Sequence, residues 1–212
     1  MKKQKDETRS DKDQRLVNVL EGLVSPDPEL RDGSLDQLIK IDGYAKSPLV
    51  ASVLVSRISE PDVEIRLHVI QLLGSLLDFD SAEGQFAEKA MVFAQNSLDQ
   101  MGEEQLIKLL EVSEKYLAAE AQIKAILKMI SYAGKGLGGI VNDRKQPVSL
   151  RQQAVFYCGE VGYLSSRPAL QVLVQRVEKD RIRAGDSSQR KKSQDEELIY
   201  PYAITALEKL KI

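Results

Sequence analysis

The chain has 212 residues, of which 42% are hydrophobic and 29% charged, with a formal net charge of −2; this balance supports a sizeable core and excludes a mostly disordered chain. One cysteine, Cys158, excludes an internal disulfide and any cysteine-rich zinc site, and one histidine, His68, excludes every multi-histidine metal centre. There is no tryptophan and only 5% aromatic residues, so the core is built from Leu, Ile, Val and Ala, and no apolar run approaches the length of a membrane span. A cytoplasmic, helical protein without metal or cofactor is the expectation.

Charge is unevenly placed. Residues 1–15 carry six basic and four acidic side chains and no apolar core, so they read as a charged tail rather than a signal peptide, with residues 1–13 expected to be disordered and a single domain over 14–212. Residues 16–175 carry 15 basic and 21 acidic residues, whereas 176–192 carry seven basic and three acidic. The body is therefore acidic and has two basic appendages.

Apolar residues recur at three- and four-residue steps over 14–24, 47–58, 83–98, 104–117, 119–132, 148–162, 167–178 and 196–210, which predicts amphipathic helices. Asp27-Pro28 and Ser47-Pro48 place a capping oxygen before a proline in a first turn, and Ser166, followed by Pro168, reads similarly. The glycine-rich stretch 133–140 (AGKGLGGI) lacks the spacing of a phosphate loop and follows no strand; a flexible connection is expected there. Tyr200-Pro201-Tyr202 predicts a last helix that begins near 198–200, since proline is tolerated in a first turn. Residues 179–195 read as an inserted basic loop carrying Arg183, Arg190, Lys191 and Lys192, either simply solvated or a tether for an acidic partner. No convincing strand occurs, and the fold class is all-α.

The chain also resembles itself. Pro26-Asp27-Pro28-Glu29-Leu30-Arg31 returns as Pro61-Asp62-Val63-Glu64-Ile65-Arg66 and, more loosely, as Pro147-Val148-Ser149-Leu150-Arg151. Adding the last helix gives four columns: Leu30, Ile65, Leu150, Ile199; Ser34, Val69, Ala154, Ala203; Leu38, Leu73, Cys158, Leu207; and Ile41, Leu76, Val161, Leu210. Their offsets trace one buried stripe. Cys158 thus reads as a small core residue.

In Asp62–Gly74 (DVEIRLHVIQLLG) and Val148–Gly162 (VSLRQQAVFYCGEVG) the chain resembles HEAT repeats, with a fair match over 27–41. The resemblance implies a right-handed α-solenoid of about four to five helix pairs. It also implies an aspartate–arginine ladder in which Arg31, Arg66 and Arg151 meet turn aspartates such as Asp27 and Asp62. In such a stack the second helices line the concave side. The face opposite the buried stripe, with Asp36, His68, Gln71, Gln153, Phe156 and Tyr202, would then be the floor of a groove. His68 is a groove contact or a plain surface histidine, and Tyr202 is a groove aromatic or a lid at the end of the stack.

No nucleophile with its base is legible near His68, so the expected function is non-catalytic: a scaffold that holds a peptide or helix of another protein along the concave face, with no small-molecule substrate. Among enzyme-like HEAT branches, the di-iron hydroxylase type needs repeated His-Glu pairs that this chain lacks. A DNA-glycosylase-like role, and nucleic-acid binding generally, would want a basic face. A phycobilin-lyase-like, chromophore-handling protein is the remaining alternative.

Overall fold

Cap chemistry sets the helix starts in the N-terminal half. Asp27 accepts a hydrogen bond from the Glu29 amide (3.0 Å), Asp62 from the amides of Glu64 (2.9 Å) and Ile65 (3.2 Å), and Ser47 from that of Val50 (3.4 Å), each satisfying first-turn donors that a helix cannot satisfy internally. The computed structural model describes residues 2–78, 86–183 and 190–211, with side chains over 11–78, 86–182 and 194–211. Its helices are α1 (Lys2–Leu23), α2 (Pro28–Leu38), α3 (Pro48–Ser56), α4 (Val63–Leu77), α5 (Glu88–Leu98), α6 (Glu103–Lys115), α7 (Glu120–Met129), α8 (Ala133–Asn142), α9 (Val148–Val161), α10 (Arg167–Arg183) and α11 (Arg190–Lys209). Among the described residues there is no strand, and no helix is long and apolar enough to cross a membrane.

The chain forms two compact units, one of residues 1–100 with 121–126, the other of 101–120 with 127–212. Inside the first, α1 pairs with α2 and α3 with α4; the first helices of the two hairpins touch each other, as do the second helices, and α5 packs on α3. Inside the second, α8 pairs with α9 and α10 with α11; α8 touches α10, α9 touches α11, and α6 packs on α8 and α9. Each unit thus stacks two hairpins in the same order.

The sequence columns largely form the interior. Ile65, Val69, Leu73 and Leu76 of α4 are buried, as are Leu150, Ala154 and Cys158 of α9, Ile199 and Ala203 of α11 and Leu210 just after it. Leu30 departs from its column and is 57% exposed; beneath the first turn of α2 the Arg31 guanidinium bonds to the Ser25 and Pro26 carbonyls instead (both 2.9 Å).

Three local expectations are corrected. Residues 133–140 are helical rather than a flexible connection: α8 buries Ala133, Leu137, Ile140 and Val141. Its glycines are close-approach positions, since a β-carbon on Gly134 would lie 2.7 Å from that of Tyr163 and one on Gly138 2.9 Å from that of Ala169. Tertiary burial here overrides the poor helix propensity of glycine. The last helix begins at Arg190, not near 198, so Pro201 lies in its interior. The turn before it is held from outside: Gln152 Nε2 donates to the Leu198 carbonyl (3.0 Å), and Arg181 forks onto Glu197 (2.8 and 2.6 Å) while lying 4.2 Å above the Tyr200 ring. Accordingly α10 and α11 continue into both ends of the segment 179–195; residues 184–189, and the side chains of Arg183, Arg190, Lys191 and Lys192, lie outside the described residues. At the other end, α1 starts at Lys2 where a tail over 1–13 was expected. Its first described turns are solvated and carry i,i+4 pairs, Arg15 with Asp11 (3.1 Å) and Gln14 with Asn18 (2.9 Å), the pattern that supports a polar helix. Residue 1 is outside the described residues.

Two measurements probe this packing. A β-carbon at Gly74 would stand 2.5 Å from Gln122 Cα, whereas one at Gly33 meets nothing within 4 Å. Gly74→Ala is expected to cost about 1–3 kcal/mol through overpacking, and Gly33→Ala to gain about 0.5–1 kcal/mol from helix propensity; equal melting temperatures for the two variants would contradict the packing of α4. Burial pushes the Cys158 thiol up to about 12, against a smaller opposing effect from Ser166. Cys158 should therefore resist alkylation at pH 8 in the native protein and react on unfolding; rapid native labelling would show it accessible.

Candidate functional site

The arginines of the repeated motif are buried, but Arg31 and Arg151 have partners other than those of the expected ladder. Asp27 and Asp62 serve as helix caps. Arg31 instead forks onto Glu60, with Nε donating to Oε2 (3.0 Å) and Nη2 to Oε1 (2.8 Å). Glu60 is completely buried just before the turn into α4 and accepts the Asp62 amide at 3.3 Å. The second helix of one hairpin is thereby tied to the entry of the next. Arg57 adds a longer contact, 3.7 Å, and donates to the Leu23 carbonyl.

The second unit repeats the device with more charge. Glu196 of α11 is 1% exposed and accepts from three guanidiniums: Arg144 (2.9 Å at each oxygen), Arg151 (3.2 Å) and Arg176 (2.8 Å). Arg151 also donates to the Val141 carbonyl (2.9 Å). Burial alone would raise the Glu196 carboxyl, but the Arg144 hydrogen bonds and the charges of Arg176, Arg144 and Arg151 outweigh it and hold it below its ordinary value. Burial lowers Arg151. A buried fork of this kind is strongly directional, and removing one partner strands a buried charge.

The proposed groove residues have three local settings, one in the first unit and two in the second. In the first unit, His68 stands between two carboxylates of α2: Nδ1 is 3.1 Å from Asp32 Oδ1, and Nε2 3.8 Å from Asp36 Oδ1. His68 and Asp36 are thus brought together as expected, and Asp32, which the sequence reading missed, is the nearer partner. Gln71 lies half-buried one turn further along α4, its carbonyl accepting from Ser75 Oγ (2.8 Å).

In the second unit, Gln153 is not an open contact point. Ser113 Oγ donates to Gln153 Oε1 (2.9 Å) and lies 2.7 Å from Tyr157 Oη; a Tyr157→Ser113→Gln153 chain of hydroxyl donors satisfies all three and ties α6 to α9.

The third setting is the cleft. Phe156 of α9 and Tyr202 of α11 line one cavity of about 410 Å³ together with Gly159, Pro201, Thr205 and Lys209. The helices come close because Gly159 faces Ala206, where a β-carbon would lie 2.9 Å from Ala206 Cα. Tyr202 is half exposed and Lys209, bonded to Glu160, sits at the rim. The Phe156 ring is steadied edge-on by Tyr157, with centroids 5.1 Å apart. Phe156 and Tyr202 were expected from their shared face; Pro201 and Lys209 join them only through the packing of α11 on α9. Among the described residues no group of three or more His, Cys, Asp and Glu is placed to hold a metal ion.

The charge cluster predicts an acid-sensitive unit. Because Glu196 titrates below its ordinary 4.5 when folded, its contribution is complete above about pH 4.5 and is lost as the pH falls through the lower folded value. Glu196→Gln should cost about 3 kcal/mol or more at pH 7, and its deficit relative to the parent should shrink below about pH 4 in urea titrations; an undiminished stability at pH 7 would remove the cluster from the fold's support.

No protein-family model, curated protein or solved structure matches the chain.

Proposed function

We propose that the protein is a non-catalytic interaction module of HEAT-like helix hairpins, and that the cleft between α9 and α11 seats an apolar side chain from a helix or extended segment of another protein. The observation that carries this reading is the joint lining of one cleft by Phe156 and Tyr202, from different helices, with Pro201 beside them. Aromatic side chains in a concave, partly desolvated position are the usual energetic centre of a protein interface. The Lys209–Glu160 pair at the rim adds polar groups that orient a partner chain.

Support for the repeat architecture comes from within each unit: hairpins stacked first helix to first helix and second to second, with each motif arginine buried. This ordering is what an α-solenoid requires, since every repeat then covers the apolar face of its neighbour. A right-handed stack of about four to five pairs is the arrangement we infer from it. The occupant is another protein rather than nucleic acid, since Lys209, the cleft's one cation among the described residues, is already bonded to a carboxylate and offers no row of free charges for a phosphate backbone.

The test uses a partner recovered by affinity purification from the native host and then produced pure. Phe156→Ala and Tyr202→Ala should each weaken its binding about tenfold or more, or about 1.4 kcal/mol and upward, with melting temperatures near that of the parent. Gln153→Ala, which breaks the Ser113–Tyr157 chain, should lower stability more than affinity. If all three bind as the parent does while Val172→Ala, at an exposed position of α10, abolishes binding, the interaction surface lies elsewhere.

A further inference from the structure

Both units bury a glutamate under arginines, and the comparison between them isolates what is unusual in the second. Around Glu60 several surplus donors are taken by carbonyls at or just past the end of α1: Arg31 Nη1 serves Ser25 and Pro26, and Arg57 Nη1 serves Leu23, while Arg57 Nε is buried without an acceptor among the described residues. The negative end of a helix is a natural acceptor for such charge. Around Glu196, among the described residues, Arg151 alone has that outlet, the Val141 carbonyl near the end of α8.

Arg144 and Arg176 are left differently. Each spends its hydrogen bonds on Glu196 alone among the described residues, and the Arg176 Nε atom is buried without an acceptor. Their side chains are 44% and 29% exposed, against 2% for Arg151. Three guanidiniums thus share one carboxylate, leaving two positive charges uncompensated within the bonded group. Arg144 is held protonated first by its hydrogen bonds to Glu196 and then by the charges of Glu196 and Asp180, yet Asp180 forms no hydrogen bond to either arginine. The two open guanidiniums converge on one carboxylate: Arg144 Nε and Arg176 Nη2 share Oε1 of Glu196, and Arg144 Nη2 takes Oε2.

We propose that Arg144 and Arg176, clamped from below by Glu196, form a binding site for a phosphate-type oxyanion on the second unit. Planar forks with free N–H groups suit a tetrahedral anion that accepts several bonds at once. A dianion matches the surplus of the bonded group better than a single carboxylate does. Glu196 is a positioning residue here, since it aims the forks and does not touch the anion. The site is separate from the α9–α11 cleft, and neither proposal depends on the other.

The test follows the arginine Nε–H resonances of the full chain by NMR during titration with inorganic phosphate, against sodium chloride at equal ionic strength. Saturable shifts of Arg144 and Arg176 in phosphate alone are expected. Arg144→Gln should weaken phosphate binding at least tenfold, and Arg144→Lys, which keeps the charge but loses the fork, should weaken it by several-fold. The lysine variant also guards against a glutamine variant that fails to fold. A pair of otherwise identical short peptides, one with a single phosphoserine and one with serine, distinguishes the source of the phosphate. Tighter binding of the phosphopeptide than of inorganic phosphate assigns the site to a phosphorylated chain, and equal binding assigns it to free phosphate. Shifts that are the same in chloride, or phosphate binding unchanged in both Arg144 variants, would overturn the proposal.

Discussion

A guanidinium buried in the first turn of one helix needs a carboxylate, and for Arg31 and Arg151 that carboxylate comes from the next hairpin. Arg31 reaches Glu60, and Arg151 reaches Glu196. The requirement is strict because an unpaired buried charge is far costlier than a surface one. It also has a geometric consequence. Forked bonds of 2.8–3.0 Å fix both position and angle, so the second helices of successive hairpins are set in a defined relation before the apolar contacts between them are counted. Hydrophobic burial supplies most of the stabilisation and is non-directional; the arginine–glutamate link supplies the direction.

The small residues complete this arrangement. Gly74, Gly138 and Gly159 lie where a side chain would meet Gln122, Ala169 and Ala206. In the second unit, close approach at Gly138 and Gly159 brings successive hairpins near enough for Arg151 to reach Glu196. In the second unit the same closeness of α9 and α11 brings Phe156 beside Tyr202 and leaves a cleft at their outer edge. The cleft is thus a by-product of the packing, with its lining set by residues that the core does not use. The surplus charge around Glu196 is another feature that the core does not need, since the first unit closes the same link with carbonyl acceptors.

Several groups among the described residues that could carry chemistry are engaged within the packed helices. The Cys158 thiol is buried, and the Ser113 and Tyr157 hydroxyls bond to each other, with Ser113 also serving Gln153. His68 has a carboxylate near each ring nitrogen. Each arrangement satisfies a polar group in a packed helical setting.

Helical periodicity, caps and the repeated Asp/Arg motif are local properties, and the sequence by itself determined them: an all-α chain, helix starts at Asp27, Ser47 and Asp62, and a buried stripe that includes Ile65, Val69 and Cys158. Phe156 and Tyr202 were legible as one face because three- and four-residue spacing places them there. Pairing across elements was not legible. The motif arginine pointed to an acid, and the nearest aspartates in sequence were the wrong ones, since a helix N-cap engages its own first-turn amides before it can serve a guanidinium. Glu60 lies in a turn and Glu196 inside a helix, so no common register marks them. The glycine-rich α8 and the interior Pro201 likewise contradict local propensity, and only burial against α10 and the outside bonds from Gln152 and Arg181 make them helical. Local spacing chose which residues face inward; which of them meet was decided by the packing of helices far apart in the chain.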